Sequence, residues 1–347
     1  MLIKQDNKYY IKATKREQSF WANDYFGTQN NGKIIQEIQE YENFNKSGNK
    51  DINYLDNIKS LGKFHNGLSL GGGFGEEELS IVAKGVVENM TFVDFSEGSN
   101  TILRENAEKL NIKNKVFSIN GDLNFIKLEK NTYDFIICRN VLHHIINLEE
   151  CLFQLNNSLT ENGIIVIDEF IGANKFQWST TRIEFIKTFC KHLKEKFDIE
   201  TLDFVKTNKK SLTNNCPFEA IRSEELYNLI HYYFGENQIQ ENRYGYLFED
   251  QSSYVKESNS IIYTELLKFE KIIKDGKLFP APRIFGVYKK GNKEMIQTQL
   301  WTNKEIKENI GILPFSELQI MRLASKLRTM FPGIYENLKK IYFLIRR

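Results

Sequence analysis

The hydrophobic and polar positions along the chain alternate between short apolar runs and longer segments with helical periodicity. Apolar runs typical of strands occupy residues 67–70, 90–96, 116–120, 133–139 and 163–170, and helical patterns lie between them, as at 101–110 and 148–159. Strands that are separated by helices predict βαβ crossovers and a mostly parallel sheet. Residues 164–167 are apolar at every position, which is typical of a strand that is covered on both faces.

The pattern becomes mainly helical after Phe170, and two further strands are predicted at 238–246 and 283–290. We therefore predict an α/β fold with a doubly wound, mostly parallel, Rossmann-like sheet of about seven strands. The predicted units are a helical lead-in (1–60), an α/β core (61–172), a helical lid with the last strands of the sheet (173–292) and a basic amphipathic helical tail (293–347).

The composition describes a folded chain without a dedicated nucleic-acid surface. The chain has 347 residues, of which 41% are hydrophobic and 13% aromatic, and its net charge is only +2. A nucleic-acid binder would need a concentrated basic face, so no nucleic-acid partner is expected. The basic charge lies in the tail, where residues 315–347 contain seven Lys or Arg and two Glu.

Cysteine spacing and hydropathy favour a reducing, cytoplasmic setting. The four cysteines, at 138, 151, 190 and 216, form no C-x-x-C pair and have no histidine at zinc-finger spacing, so neither a disulfide framework nor a metal is expected. The polar start resembles no signal peptide, and no run reaches the roughly 18 apolar residues of a membrane span.

A glycine cluster and two acids mark the candidate binding site. Gly71, Gly73 and Gly75 follow the first predicted strand, where glycine lets a ligand approach the backbone. A dinucleotide-binding motif requires a small residue at the position that Glu76 occupies in this chain. The carboxylates of Glu76–Glu78 would also repel a pyrophosphate. A cofactor with net positive charge fits better, and S-adenosyl-L-methionine, with a sulfonium, an ammonium and one carboxylate, is such a cofactor. Asp94 and Asp122 end the next two predicted strands at the same sheet edge, where an acid can accept ribose hydroxyls.

As an ordered set, LSLGGGFG (68–75), VDFS (93–96), NGDL (120–123) and YDFIICRNVLHHI (133–145) resemble the motifs of class I methyltransferases dependent on S-adenosyl-L-methionine. The resemblance implies that Gly71, Gly73 and Gly75 line the methionine part of the cofactor. It implies that Asp94, beside Phe95, holds the ribose, that Asp122 and Leu123 flank the adenine, and that Arg139 lies near the cofactor. Many family members have an acid two residues before the first glycine, where this chain has Ser69.

A longer resemblance reaches about residue 290. DLN (122–124), LHHI (142–145), DEFIG (168–172), FQW (176–178), EAIRS (219–223) and RYGY (243–246) are similar to a bacterial branch of these methyltransferases. That branch is associated with surface-polysaccharide or secondary-metabolite functions, so the resemblance implies methylation of a glycan or a small metabolite, most simply at oxygen.

Candidates for acceptor chemistry lie after the fourth and fifth predicted strands, because acceptor pockets of such sheets lie outside their carboxyl ends. His144 and Glu169 are the predicted catalytic residues. His143 and His144 differ by about 100° on a helix, so at most one should face the acceptor. Asp168 and Glu169 point to opposite faces of a strand and cannot both reach one pocket.

Asn140, His143, Arg222 and Trp178 are the predicted substrate contacts, and each has a structural alternative. A histidine at a helix start often caps the backbone or packs. Arg222 could bind an anionic acceptor or pair with Glu219, and Trp178 could be an aromatic wall or a core residue.

Two alternatives to an enzyme of this kind stay open. A scaffold that binds the cofactor without chemistry is compatible with Ser69 and with the extra lid and tail, whereas a nicotinamide-dependent reductase is disfavoured by Glu76. The tail could pack on its own domain, or on a partner subunit in a homodimer, with its basic face in solvent. It could instead make a peripheral contact with the inner membrane surface.

Overall fold

The computed structural model describes residues 1–21, 36–201, 207–247 and 258–312. The strands of these ranges form one sheet and are β1 (Phe64–Leu70), β2 (Val87–Asp94), β3 (Val116–Asn120), β4 (Tyr133–Arg139), β5 (Leu159–Phe170), β6 (Gln238–Tyr244) and β7 (Arg283–Lys289). Their helices are α1 (Lys8–Ser19), α2 (Gln36–Ser47), α3 (Tyr54–Ser60), α4 (Glu78–Ala83), α5 (Glu97–Lys109), α6 (Leu148–Ser158), α7 (Thr180–Phe197), α8 (Lys209–Asn215), α9 (Ser223–Phe234), α10 (Ile261–Gly276) and α11 (Asn303–Ile310).

The strand order is β3-β2-β1-β4-β5-β7-β6. The first five strands of this order are parallel, and β7 runs antiparallel to both β5 and β6. The strands β1 to β3 are added to the sheet in one direction, and β4 is added on the other side of β1. This switch leaves a crevice outside the carboxyl ends of β1 and β4. The predicted doubly wound, mostly parallel sheet of seven strands is confirmed.

The strand boundaries follow the backbone ladder rather than side-chain polarity. β3 and β4 begin and end where the sequence predicts, but β1 starts at Phe64, before the apolar run, and β2 spans Val87–Asp94 instead of 90–96. Asn66, near the start of β1, is polar and exposed, yet it pairs with Asn89 of β2. Main-chain hydrogen bonds extend a strand past its buried residues, so side-chain polarity alone predicts the starts of β1 and β2 too late in the sequence.

Two hydrophobic layers cover the sheet. Phe135 and Ile137 of β4 enter the layer formed with α2, α3, α4, α5, α7 and α10, whereas Ile136 and Cys138 enter the layer formed with α6 and α9. Burial on both faces explains why β4 and β5 have no regular polar alternation.

A third apolar cluster covers the crevice. It joins Tyr10 and Ala13 of α1 to Phe218 and Ile221, in the segment around the start of α9, and to Ile306 of α11. The predicted lead-in therefore shares in covering the crevice with residues that follow β5.

No helix within the described ranges is long and apolar enough to cross a membrane. Most of the predicted basic tail, from residue 313 onward, lies outside those ranges.

A buried charged group ties α2 to the end of the sheet. The Asp168 carboxylate lies 3.0 Å from Lys46 Nζ and accepts a hydrogen bond from the Tyr244 hydroxyl at 3.0 Å. Arg283 lies 3.5 Å from the same carboxylate and donates a 2.6 Å hydrogen bond to the side chain of Asn140. Burial alone would raise the pKa of Asp168, but Lys46 and Arg283 outweigh burial and hold this pKa at about 2.

We expect Asp168→Asn to lower the free energy of unfolding by about 3–5 kcal/mol at neutral pH, because Lys46 and Arg283 would stay buried without their counter-charge. Since the pKa of Asp168 is about 2 in the folded chain against 3.8 ordinarily, the unfolded chain takes up the proton first. The wild type therefore exceeds Asp168→Asn in free energy of unfolding by the full amount above about pH 4, and this difference is lost as the pH falls toward about 2. Urea unfolding at a series of pH values measures this difference.

The control is Asp198→Asn, which removes an exposed partner of Lys194 and should leave the free energy of unfolding nearly unchanged at every pH. Equal stability of the wild type and the Asp168→Asn variant at pH 7 would contradict the assignment.

Candidate active site

A cavity of about 270 Å³ opens at the carboxyl ends of β1, β2 and β4. Its wall combines the glycine loop after β1, the acidic residues after β2 and β3, and the turn after β4 with side chains of α1 and of Phe218. All of the predicted cofactor residues lie on this wall, namely Gly71, Gly73, Gly75, Asp94, Phe95, Asp122, Leu123 and Arg139.

The glycine loop needs its glycines for two different reasons. Gly71, Gly73 and Gly75 all have positive φ angles, of 60°, 53° and 69°. A Cβ atom at Gly71 would lie 2.2 Å from Val141 Cγ2, and one at Gly75 would lie 2.3 Å from Leu103 Cδ1. A Cβ atom at Gly73 would meet nothing within 4 Å. Packing therefore requires glycine at two of these positions, whereas Gly73 leaves open space at the cavity wall.

Asp94 is held by the main chain at the end of β2. One carboxylate oxygen accepts the N–H of Ser96 at 2.8 Å and the other accepts the N–H of Gly73 at 3.2 Å. Burial raises the pKa of Asp94, although these two donors partly offset the effect. The acid is thereby oriented toward the glycine loop, as a group that holds ribose hydroxyls requires.

Asp122 is linked to the N-terminal helix. Both of its oxygens lie 2.9 Å from the hydroxyl of Tyr10, which donates to them from α1, and Oδ1 also accepts the N–H of Asn124 at 3.0 Å. Burial raises the pKa of Asp122. The lead-in helix thus orients an acid that the sequence assigns to the cofactor.

The acidic run after the glycines contributes directly to the wall. Glu76, Glu77 and Glu78 all line the cavity, and Glu77 forms an ion pair with Arg139 at the end of β4. Burial raises the pKa of Glu78. The wall is therefore rich in carboxylates, and Arg139 is neutralised by a neighbour, which suits a cationic ligand.

Glu169 holds the turn that follows β4. Its side chain is fully buried, and one oxygen accepts the N–H groups of Val141 at 2.5 Å and Leu142 at 2.7 Å. The other oxygen lies 2.7 Å from Nδ1 of His143. Glu169 lies outside the cavity wall, so the structure places this predicted catalytic residue where it orients the Leu142–His144 turn instead of where it could touch a ligand.

His144 is the one of the two predicted catalytic residues that lies on the wall. Its Nδ1 atom lies 3.1 Å from Oε1 of Glu17, a buried residue of α1 whose second oxygen accepts the N–H of Phe218 at 3.0 Å. The ring of Trp21 packs edge-on against His144 at 5.6 Å between centroids. The imidazole is thus held by residues far from it in sequence.

A second carboxylate faces both histidines. Glu219 Oε1 lies 3.4 Å from Nε2 of His143, and Oε2 lies 3.6 Å from Nε2 of His144. Burial would raise the pKa of Glu219, but His144 and His143 outweigh burial and lower this pKa to about 2. Burial would likewise lower the pKa of His143, but Glu169 and Glu219 raise it to about 9.

The remaining predicted substrate contacts divide between the wall and the packing around it. Asn140 lies on the wall, whereas His143, Arg222 and Trp178 do not. Arg222 is buried in ion pairs with Glu149 at 2.6 Å and Glu225 at 2.7 Å.

Trp178 packs against Phe170, and the guanidinium of Arg182 stacks on its ring at 4.1 Å. This packing corresponds to the structural alternative considered for Trp178, whereas Arg222 pairs with Glu149 and Glu225 instead of with Glu219 as the sequence suggested.

Sequence reasoning missed the contribution of α1. Tyr10, Thr14, Glu17 and Trp21 all line the cavity. Their spacing of four, three and four residues places them on one helical face, which is a signal that the polar composition of the segment hides. Phe218 was missed because it lies between two helices and belongs to no apolar stripe.

Comparisons with known proteins bear on the same region. Residues 26–241, more than half of the chain, match the model of a family described as a methyltransferase domain. A search of curated proteins found no significant match.

Solved structures that are similar to this chain include two with broad coverage. The MccD protein is 15% identical over 68% of this chain and 96% of its own, with a TM-score of 0.40. A putative S-adenosyl-L-methionine-dependent methyltransferase from Methanococcus maripaludis is 13% identical over 85% of this chain and 100% of its own, with a TM-score of 0.38.

The open space at Gly73 gives a test of the cofactor cavity. We expect Gly73→Ala to lower the affinity for S-adenosyl-L-methionine at least about tenfold, because the new methyl group would occupy the cavity wall, while the cost in stability stays near about 1 kcal/mol. Isothermal titration and urea unfolding measure the two effects.

Gly85→Ala is the matched control, because Gly85 has a φ of 67° and equally open surroundings but lies away from the cavity. It should cost similar stability and leave the affinity unchanged. The same loss of affinity in both variants would contradict the position of the cofactor.

Proposed function

This chain belongs to the methyltransferase-domain family, and we propose that it transfers a methyl group from S-adenosyl-L-methionine to a hydroxyl oxygen of a glycan or a small metabolite. The prediction of a methyltransferase that depends on S-adenosyl-L-methionine is confirmed by the family match. The acceptor, the acceptor atom and the roles of individual residues are the subject of the proposal.

The residues on the wall fit this cofactor. The open space at Gly73 offers room for a ligand against the backbone, and Asp94 and Asp122 are acids fixed by hydrogen bonds at neighbouring strand ends. The carboxylates of Glu76, Glu77 and Glu78 add negative potential that favours a ligand carrying sulfonium and ammonium groups.

When bound, the cofactor supplies an electrophilic methyl group: an O–C bond forms as the C–S bond breaks, and the electron pair of the C–S bond stays on sulfur to give S-adenosylhomocysteine. The protein must therefore place the acceptor oxygen in line with the methyl group and accept a proton from the hydroxyl. A carboxylate acceptor would need no such proton acceptor.

The observation that carries the proposal is the imidazole of His144 on the cavity wall, held by the buried carboxylate of Glu17 at 3.1 Å. Glu17 fixes Nδ1, and Nε2 lies 3.6 Å from Glu219, too far for a good hydrogen bond, so we assign to Nε2 the acceptance of a proton from a hydroxyl group. We therefore assign the acceptor hydroxyl to the His144 side of the cavity. Tyr10, Trp21 and Phe218 add aromatic surface on which a sugar or a small ring can pack.

The volume of the cavity favours a compact acceptor group. At about 270 Å³ it is small for a site that must hold a nucleoside cofactor and an acceptor together. The acceptor is then a small molecule or a terminal sugar that enters the cavity with one end.

Two further features stay predictions. The basic tail would contact an anionic membrane surface, which would suit a lipid-linked glycan, and the chain would form a homodimer.

We expect His144→Asn to lower the rate of methyl transfer by about 10²–10⁴-fold, the range typical of losing a proton acceptor, and to change the affinity for S-adenosyl-L-methionine by less than about threefold. The assay uses trideuteromethyl cofactor with a small-molecule and cell-envelope extract, and mass spectrometry finds the labelled product. An ether-linked methyl group resists mild alkali, whereas a methyl ester does not, so alkali treatment identifies the acceptor oxygen.

His231→Asn serves as the control because His231 also pairs with a carboxylate, Glu241, at 2.7 Å but lies away from the cavity. It should methylate at the wild-type rate. A fully active His144→Asn variant, or a label lost in mild alkali, would refute the hydroxyl assignment.

A further inference from the structure

The two adjacent histidines present their ring nitrogens in an unusual arrangement. Nδ1 of His143 lies 2.7 Å from Glu169, and Nδ1 of His144 lies 3.1 Å from Glu17. The Nε2 atoms of both rings face the same carboxylate, that of Glu219.

Two imidazole nitrogens that face one carboxylate require a positive charge among the three groups, supplied either by a proton on an imidazole or by a bound metal ion. The separations of 3.4 and 3.6 Å are longer than good hydrogen bonds, which favours the metal ion. The Cys216 thiol lies 3.7 Å from Glu219 but only 2.9 Å from Glu17, which is its nearer acceptor.

We propose that His143 Nε2, His144 Nε2 and the carboxylate of Glu219 form a binding site for a divalent transition-metal ion, with Zn²⁺ as the ion that these ligands suit best. Two imidazoles and one glutamate are a ligand set of catalytic zinc sites, in which a further position stays open. The three ligand groups offer atoms that all lie within 4.8 Å of one another.

The spacing of the ligand atoms agrees with such a site. Zinc binds imidazole nitrogen and carboxylate oxygen at roughly 2.0–2.2 Å, so neighbouring ligands of a tetrahedral ion lie about 3.3 Å apart. The separation from His143 Nε2 to Glu219 Oε1 is 3.4 Å and that from His144 Nε2 to Glu219 Oε2 is 3.6 Å, both close to this value.

The surroundings of the two histidines support the same assignment. Histidine ligands in metal sites commonly donate their second N–H to a carboxylate, which fixes the ring and makes the ligand more basic. Here both histidines have such a partner, Glu169 for His143 and Glu17 for His144, and each partner is almost completely buried.

A competing ligand set shares His144 but is less suitable. Glu17, His144 and Cys216 also lie close enough together to bind an ion. The oxygens of Glu17, however, already accept hydrogen bonds from Phe218 and Trp21, and Cys216 Sγ lies 2.9 Å away. Burial also raises the pKa of Cys216, which keeps the thiol protonated.

The metal site stands on this geometry alone, whereas its role in catalysis rests on the function proposed above. An ion at the cavity edge would bind the acceptor oxygen and lower the pKa of its hydroxyl, so that the proton leaves to solvent. His144 Nε2 cannot bind the ion and accept the proton at the same time, so the ion would replace His144 as the group that activates the hydroxyl only in the metal-loaded chain.

The site is tested on the full chain with Zn²⁺ alone, without cofactor or acceptor. Protein stripped with a chelator, reloaded with Zn²⁺ and dialysed should retain about one ion per chain by elemental analysis. Glu219→Gln should weaken Zn²⁺ binding at least about 100-fold, since it removes a ligand, and Glu17→Gln should weaken it about 10–100-fold, since it removes a ring-orienting partner.

Three controls separate a built site from other causes. His231→Asn and Cys216→Ser should retain the ion, and circular dichroism should show that every variant is folded. Cobalt substitution adds a spectroscopic readout, because the visible absorption of a bound Co²⁺ reports its ligands and should change in Glu219→Gln.

A wild-type chain that retains no more metal than Glu219→Gln would overturn the inference, and the cluster would then be held by protonated histidines. Loss of the ion from Cys216→Ser but not from Glu219→Gln would overturn it in favour of the competing set. Retained metal with no methyl transfer would support the site and count against the proposed function, whereas methyl transfer by a metal-free chain would support the proposed function and overturn the role of the ion in catalysis.

Discussion

The His144 side of the cavity depends on one buried carboxylate, that of Glu169. It accepts the N–H groups of Val141 and Leu142 and holds the ring of His143, so it joins the end of β5 to the turn after β4. Charge-assisted hydrogen bonds of this kind are strong, and their loss would leave two buried N–H groups without partners. The main-chain oxygen of His143 in turn accepts the N–H of Ile221, which fixes the segment that carries Glu219.

The two halves of the cavity have different origins. The half proposed for the cofactor is built at the ends of adjacent parallel strands, whose hydrogen-bonded ladder positions the glycine loop and Asp94. The half proposed for the acceptor brings together Glu17 of α1, His144 after β4 and Phe218 before α9, which contact one another across large distances in sequence. A rigid sheet with variable covering segments can keep one cofactor while the acceptor changes.

Charge gives the cavity its chemical character. Burial raises the pKa values of Asp94 and Asp122, which means that it penalises their ionised forms, and a cationic ligand would offset this penalty. At Glu219 the neighbouring histidines outweigh burial and lower the pKa to about 2. The proposed sulfonium cofactor and the proposed divalent ion would each add positive charge to a region rich in carboxylates.

The sequence by itself determined the sheet, the glycine loop and the two strand-end acids, because each depends on local periodicity or on a short motif and on the rule that parallel strands end at one edge. Only the tertiary structure decided which polar residues reach the cavity. The Glu169 carboxylate accepts hydrogen bonds from main-chain N–H groups and Arg222 pairs with Glu149. Glu17, in contrast, lies on a helix and is 127 residues before His144 in the sequence. These positions depend on contacts between segments that are distant in sequence, so no local sequence pattern predicts them.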